Sequence, residues 1–145
     1  MSHNIFRHRH TVRFGEIDYA GIVYYPNFFD FYQQTEEEFM AFLGYPYPHM
    51  LRDLKQGFPI VHVDSDFKKP IKYGDTLEIA LSVTQLGNAS VTFHFDVYRL
   101  NKSTLCAEAD ISHVLIDTEK FVPIEIPPEM RTKFEEYLAS GADQL

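Results

Sequence analysis

The hydrophobic period of the chain changes twice along its length. Residues 5 to 14, IFRHRHTVRF, alternate: Phe6, His8, His10, Val12 and Phe14 fall on one face, and Arg7, Arg9, Thr11 and Arg13 on the other. This is the two-residue repeat of a strand. From Asn27 to about Leu43 the repeat lengthens to three or four residues, through Phe28, Phe31 or Tyr32, Thr35, Phe39 and Phe42 or Leu43. That spacing predicts an amphipathic helix with Asn27 as its N-cap and Gly44 as its stop. At roughly 25 Å it is the longest element and needs a surface to lie against. The stretch YPYPHMLRDLKQGFP predicts a second, short helix with Met50, Leu51 and Leu54 on its apolar side.

Beyond it the period returns to two. IVHVDSDF, TLEIALSVTQL, SVTFHFDVYRL and TLCAEADISHVLID read as strands, separated by turns at Gly74-Asp75, at GNAS (87 to 90) and at NKS. DTEK then turns the chain into FVPIEI. PPEMRTKFEEYLASG predicts a terminal helix entered through Pro127-Pro128 and closed near Gly141. A strand, a long helix and a run of antiparallel strands joined by tight turns define an α+β domain, a curved antiparallel sheet around a central helix. The 145 residues suit one domain, residues 1–145, with one core.

Composition narrows the functions available. A formal net charge of −8 opposes non-specific binding to nucleic acid or to an anionic membrane, so a polyanionic ligand must be held by local groups. The single cysteine, Cys106, cannot form an internal disulfide. No secretory leader or membrane-length apolar run is present, which makes the cytoplasm the expected location. Thirteen Phe and no Trp suggest a core or interface lined with rings.

Residues 14 to 27, FGEIDYAGIVYYPN, interrupt the alternation with two carboxylates before a helix start. Gly15, Ala20 and Gly21 permit close backbone approach or positive φ. The first turn of the helix offers amide donors without intrahelical partners, suited to an anion or a developing oxyanion. Pro26 has no N–H, so the donor is that of Tyr25 upstream or of Phe28 downstream. An ordinary aspartate side chain is ionised near pH 7 without help, and beside such a donor Asp18 can attack a thioester or activate a water. One backbone donor to a tetrahedral oxyanion is worth roughly 3 to 4 kcal/mol. Read without that chemistry, Asp18 is a turn residue, Glu16 a partner for Arg13, and the tyrosines packing.

The segment F-G-E-I-D-Y-A-G-I-V-Y-Y-P-N-F closely resembles the active-site segment of the 4-hydroxybenzoyl-CoA thioesterase family of hotdog-fold enzymes. In that family an acidic residue, Asp, Ala-Gly, a Val-aromatic pair and a Pro-Asn helix start occur in this order. The resemblance spans residues 6 to 127 in element order and is specific at residues 14 to 28, more loosely around KPIKYGD (69 to 75). It implies a hotdog domain that hydrolyses an acyl-CoA; the aromatic content suits an aromatic or short- to medium-chain acyl group, and neither a cofactor nor a metal is expected. Asp18 falls on the family's catalytic aspartate, and the Tyr25 N–H on the donor that polarises the thioester carbonyl. Tyr19, Gly21, Tyr24, Asn27, Phe28 and Gln33 are the implied substrate-binding positions.

A homodimer, or a homotetramer built as a dimer of dimers, is implied too, with the acyl chain between protomers. Two departures bear on the substrate. Tyr19 stands where the family pattern has Pro, and Gln33 where an acidic residue meets a ring hydroxyl. The basic grip on the CoA nucleotide is also missing at Gly87 to Ser90 and at Val122; Lys68, Lys69, Lys72, Arg99 and Lys120 are substitutes by charge alone, and each reads first as a surface residue that serves solubility. The alternatives are a protein that binds acyl-CoA or acyl carrier protein without turnover, and a hotdog dehydratase, for which no His–acid spacing is evident. The remaining candidates read as packing or surface: His8 and His10 as a strand face or local pair, His62, His94 and His113 as core or interface, Cys106 as inert, and Glu36, Glu37 and Glu38 as the solvated face of the long helix.

Overall fold

The structure is a computed structural model that describes residues 4–144. In chain order the elements are β1 (Phe6–Thr11), α1 (Asn27–Phe42), α2 (Tyr47–Arg52), β2 (Gln56–Gly57), β3 (Ile60–Phe67), β4 (Thr76–Leu86), β5 (Ser90–Arg99), β6 (Thr104–Val114), β7 (Ile116–Asp117), β8 (Val122–Pro123), α3 (Pro128–Glu135) and β9 (Leu138–Gln144). The main sheet runs β1-β4-β5-β6-β3, antiparallel throughout, and β9 joins it parallel to β4. The short strands β2, β7 and β8 form a second small sheet. No helix among the described residues is long and apolar enough to cross a membrane.

Two periodicities meet in the core. Strands β4 and β5 turn Leu77, Ile79, Leu81 and Val83, and Val91, Phe93, Phe95 and Val97, toward α1. The helix answers with Phe28, Phe31, Tyr32, Thr35 and Phe39. Small residues on β6, Ala107 and Ala109, lie beside Val97 and Phe95, which leaves room for the Tyr32 ring 5.1 Å from that of Phe95. The Tyr32 hydroxyl meets Ser65 Oγ on β3 at 3.0 Å, and burial pushes its pKa up to about 12. Phe39 packs among Phe6, Phe93, Phe134 and Tyr137, each aromatic pair adding to the burial of apolar area.

Several expectations need correcting. Pro26, not Asn27, occupies the N-cap of α1. Asn27 instead turns its amide to the Glu16 carbonyl, at 2.8 Å. Of the short helix's predicted apolar side only Met50 is buried; Leu51 is exposed, and Leu54 lies exposed beyond the end of α2 at Arg52. Phe14 and Phe42 are exposed as well: β1 ends at Thr11, and residues 14 to 16 coil into one 3-10 turn. The terminal helix stops at Glu135, and the chain re-enters the sheet as β9. Strand β1 pairs β4 up to Leu81 and leaves its second half open; there the Val83 N–H donates to the Tyr137 carbonyl at 2.9 Å. Glu36, expected in solvent, is buried.

His94 lies on the face of the sheet opposite α1, between β5 and β6. Its Nδ1 and Nε2 donate to Asp110 at 2.9 Å and to Asp96 at 3.0 Å. The bond to Asp96, joined by that to Asp110, outweighs desolvation and pushes the imidazole up to about 9. A histidine raised in the folded state stabilises fully below its unfolded pKa near 6.5 and loses that contribution as pH climbs through the folded value. Urea unfolding should therefore show His94→Gln less stable than wild type by roughly 1 to 2 kcal/mol at pH 6, a figure reduced for partial exposure. At pH 10 the two should coincide.

Candidate active site

The site loop begins with Glu16. Its carboxylate accepts the Arg13 backbone N–H at 2.7 Å and meets His10 Nε2 at 2.8 and 2.9 Å. Its carbonyl accepts the Tyr24 N–H at 3.0 Å and the Asn27 side-chain amide at 2.8 Å. One residue thus ties β1, the loop and the start of α1 together. Glu16 does partner Arg13, through the backbone rather than the guanidinium. His8 pairs separately with Glu38 at 2.6 Å, so the two strand histidines serve different carboxylates.

Between these anchors, residues 17 to 23 form a tight reversal. Ile17 bridges Val23, the Asp18 N–H donates to the Ile22 carbonyl at 2.8 Å, and the Gly21 N–H donates to the Asp18 carbonyl at 3.0 Å. Gly21 has φ +84 with no atom within 4 Å of an added Cβ, so backbone conformation, not space, calls for glycine there. The reversal is pinned to the segment after β3 by Val23 N–H to Ile71 carbonyl at 2.8 Å and Tyr73 N–H to Gly21 carbonyl at 3.1 Å. Asp18 Oδ1 accepts the Ala20 N–H at 2.9 Å. Its Oδ2 meets no donor among the described residues.

The helix start sorts the candidate donors. The Asn27, Phe28 and Phe29 N–H groups donate to the carbonyls of Tyr24, Tyr25 and Pro26 at 2.9, 3.1 and 3.1 Å. Pro26 has none to give. Among the described residues the Tyr25 N–H meets no acceptor, so of the two donors left open by sequence it is the one available. Tyr25 and Phe28 border a cavity of about 300 Å³ whose walls include Val23, Phe67, Lys69 and Pro70. Tyr24 packs edge-on to Tyr25 at 5.5 Å, while Tyr19 projects fully into solvent.

Gln33 is separated from this group. It lines a second cavity of about 340 Å³ with Tyr47, Met50, Gln56, Phe58 and His113. In its wall His113 stands against Glu36, a pair that sequence reading missed, with side chains 3% and 1% exposed. His113 Nδ1 donates to the Phe58 carbonyl at 2.8 Å. A carboxylate buried this deeply requires a partner. The signal was there in the spacing: Glu36 lies four residues after Tyr32 and four before Met40, on the inner stripe, but the run Glu36-Glu37-Glu38 suggested solvent. This supplies the His–acid pairing that no spacing revealed. His113 Nδ1 is committed to the Phe58 carbonyl, and Nε2 faces the Glu36 carboxylate.

Potential metal ligands come together at His94, Asp96 and Glu108, whose ligand atoms lie within 4.8 Å of one another. With each ring nitrogen donating to a carboxylate, His94 has no lone pair for an ion. Burial pushes the Cys106 thiol up, which suits packing rather than reactivity.

Residues 12–134 match the thioesterase-like superfamily, and the chain belongs to it. A putative esterase of Aquifex aeolicus is 30% identical over 82% of this chain and 91% of its own length. A 1,4-dihydroxy-2-naphthoyl-CoA hydrolase of Acaryochloris marina is 31% identical over 84% of this chain and 90% of its own. Among solved structures, that of Slr0204 from Synechocystis, a 1,4-dihydroxy-2-naphthoyl-CoA thioesterase, superposes with a TM-score of 0.85 at 22% identity, covering 92% and 97% of the two chains. The fold is the hotdog fold, an antiparallel sheet with one long helix, and the chain is by class an acyl-CoA thioester hydrolase.

Replacing Glu16 by Ala removes the acceptor of the exposed Arg13 N–H and the part-buried partner of His10. The expected loss is about 1 to 3 kcal/mol of unfolding free energy, read as a lowered urea midpoint. Glu16→Gln keeps an acceptor for the Arg13 N–H and should recover part of that loss.

Proposed function

We propose that Asp18 and the Tyr25 N–H form the hydrolytic site, and that the acyl group of the CoA thioester is aromatic or of short to medium length. The observation that carries the reading is the uncommitted Tyr25 N–H at the mouth of α1, bordering an apolar cavity and held in the same clamped loop as Asp18. The thioester carbonyl oxygen accepts that N–H, which gains strength as the oxygen becomes tetrahedral and anionic. Asp18 supplies the attack through Oδ2, on the carbonyl carbon or through a water whose proton it takes. The C–S bond then breaks, and CoA leaves as the thiolate. In the covalent route water then cleaves the acyl-aspartate to free acid and Asp18; ¹⁸O appearing in Asp18 after a single turnover in ¹⁸O-water, from attack at its carboxyl carbon, identifies that route.

A homodimer completes the pocket. Strand β3 is an edge exposed on both faces, and Ile60, Val61, Val63 and Phe67 keep large apolar surface in water, an unprotected edge of the kind a second copy covers. Antiparallel pairing of β3 with its copy would set the Phe67 end of one strand against the Ile60 end of the other. The Tyr25 cavity of one protomer then faces the Gln33 cavity of its partner. In that second cavity Gln56 Oε1 is buried without a donor, which favours an acyl group bearing a hydroxyl.

Thiol release from benzoyl, hydroxyaryl, phenylacetyl and fatty acyl-CoA tests the reading. Asp18→Asn should lower kcat at least about a hundredfold, roughly 2.7 kcal/mol, with unfolding free energy within about 0.5 kcal/mol of wild type. Retained activity in the variant would remove Asp18 from the chemistry. A wild type that binds these esters without releasing thiol would make the protein a binder.

A further inference from the structure

Beside the Tyr25 cavity lies a second hollow of about 280 Å³, walled by Lys69, Lys72, Arg99 and Lys102 together with Asp75. The two hollows share Lys69 and Pro70, so one leads into the other. From the geometry we infer that this basic hollow is the subsite for the phosphate groups of coenzyme A, built at positions other than the Gly87–Ser90 turn and Val122. The inference rests on the thioesterase reading, since the thioester carbonyl fixes where the arm of the substrate begins.

The charges are arranged against the tendency of the chain as a whole. With 13 Lys and Arg against 21 Asp and Glu, an average surface cation finds a carboxylate close by, as Lys68 does with Glu108 at 3.6 Å. Among the described residues the ammonium groups of Lys69, Lys72 and Lys102 take part in no ion pair. The hollow's one carboxylate is already engaged: Asp75 accepts the Lys72 backbone N–H at 2.9 Å and lies 3.9 Å from Arg99 Nη1. Arg99 is itself anchored, donating from Nη1 to the Pro70 carbonyl at 3.1 Å, while its buried Nε meets no acceptor. Four cations and one carboxylate leave three positive charges facing one hollow, a mutual repulsion that an anion relieves.

The backbone holds these groups in place. Lys69 donates its N–H to the Cys106 carbonyl at 3.1 Å, and Asp75 N–H returns to the Lys72 carbonyl at 3.1 Å through the turn at Gly74, φ +86. From the Tyr25 N–H, a CoA thioester would lay its pantetheine arm along Phe67 and Pro70, both on the first cavity's wall, and present its phosphates to the lysines. Lysine acts here as a point charge suited to phosphate without fixed orientation.

The test compares one acyl group carried on CoA and on pantetheine, which lacks the nucleotide. In the double variant Lys72→Ala/Lys102→Ala the ratio of kcat/KM on CoA to kcat/KM on pantetheine should fall at least about tenfold, through KM on the CoA ester. An unchanged ratio overturns the assignment. Calorimetric binding of free CoA needs no turnover and separates this inference from the hydrolytic one: about tenfold weaker binding by the variant supports the subsite even if no ester is hydrolysed, and equal binding overturns it. Adenosine 3′,5′-bisphosphate should compete with the CoA ester in wild type where inorganic phosphate at the same concentration does not; equal competition by both would reduce the hollow to a general anion site and overturn the inference.

Discussion

Everything in this structure depends on one apolar contact, the inner stripe of α1 against the concave face of the sheet. A strand shows alternate residues to one side and a helix shows every third or fourth. Burial requires both repeats to remain in phase across the contact. Phe31, Tyr32, Thr35 and Phe39 keep the helical phase, and Phe93, Phe95 and Val97 keep the strand phase. The loop that carries Asp18 hangs from the N-terminal end of that helix, so the depth at which Phe28 and Phe31 are buried sets where the Tyr25 N–H points. Polar bonds then refine a position that burial has already chosen. Glu16 is the clearest case, satisfying four donors from three parts of the chain.

That contact also explains which parts of the molecule were legible beforehand. Strands β4 and β5 and the body of α1 fall where their periodicity puts them, because each buries a full face and nothing local competes. Strand β9 was not legible. Its residues, LASGADQ, carry no alternation, and its place depends on an irregularity in β4 between Val83 and Gln85 and on the half of β4 that β1 does not reach. Those are facts about another strand. Asn27 was misread for a related reason: an N-cap is a local inference, and the Glu16 carbonyl that takes its amide is eleven residues away. Residues 14 to 28 stood out as a candidate site only through family resemblance, since two carboxylates before a helix have many ordinary uses.

The pair Glu36–His113 imposes a constraint of a different kind. Phe58 offers a carbonyl to one ring nitrogen and Glu36 a carboxylate to the other, so each polar group that burial strips of water has a partner inside the protein. Apolar residues of similar volume would fill the space at less cost in desolvation. Its position in the wall of the Gln33 cavity gives that cavity a polar patch within an apolar lining, the combination from which pockets derive selectivity.

Electrostatics on the opposite side follow from the same economy of local arrangement. A chain at −8 repels polyanions at long range, which disfavours nucleic acid and anionic surfaces, yet the proposed substrate carries several phosphate charges. Reversing the field everywhere would admit those competitors. Concentrating three unpaired lysines and an anchored arginine in one hollow reverses it only there, and within about a Debye length, near 8 Å at physiological salt, the local cations outweigh the global charge. In the proposed reading the price falls on association rate, since long-range steering is lost. In return a ligand must offer both phosphate for the hollow and a thioester for the cavity beside it. Selectivity then comes from the fixed path joining the two, which the backbone of residues 69 to 75 sets.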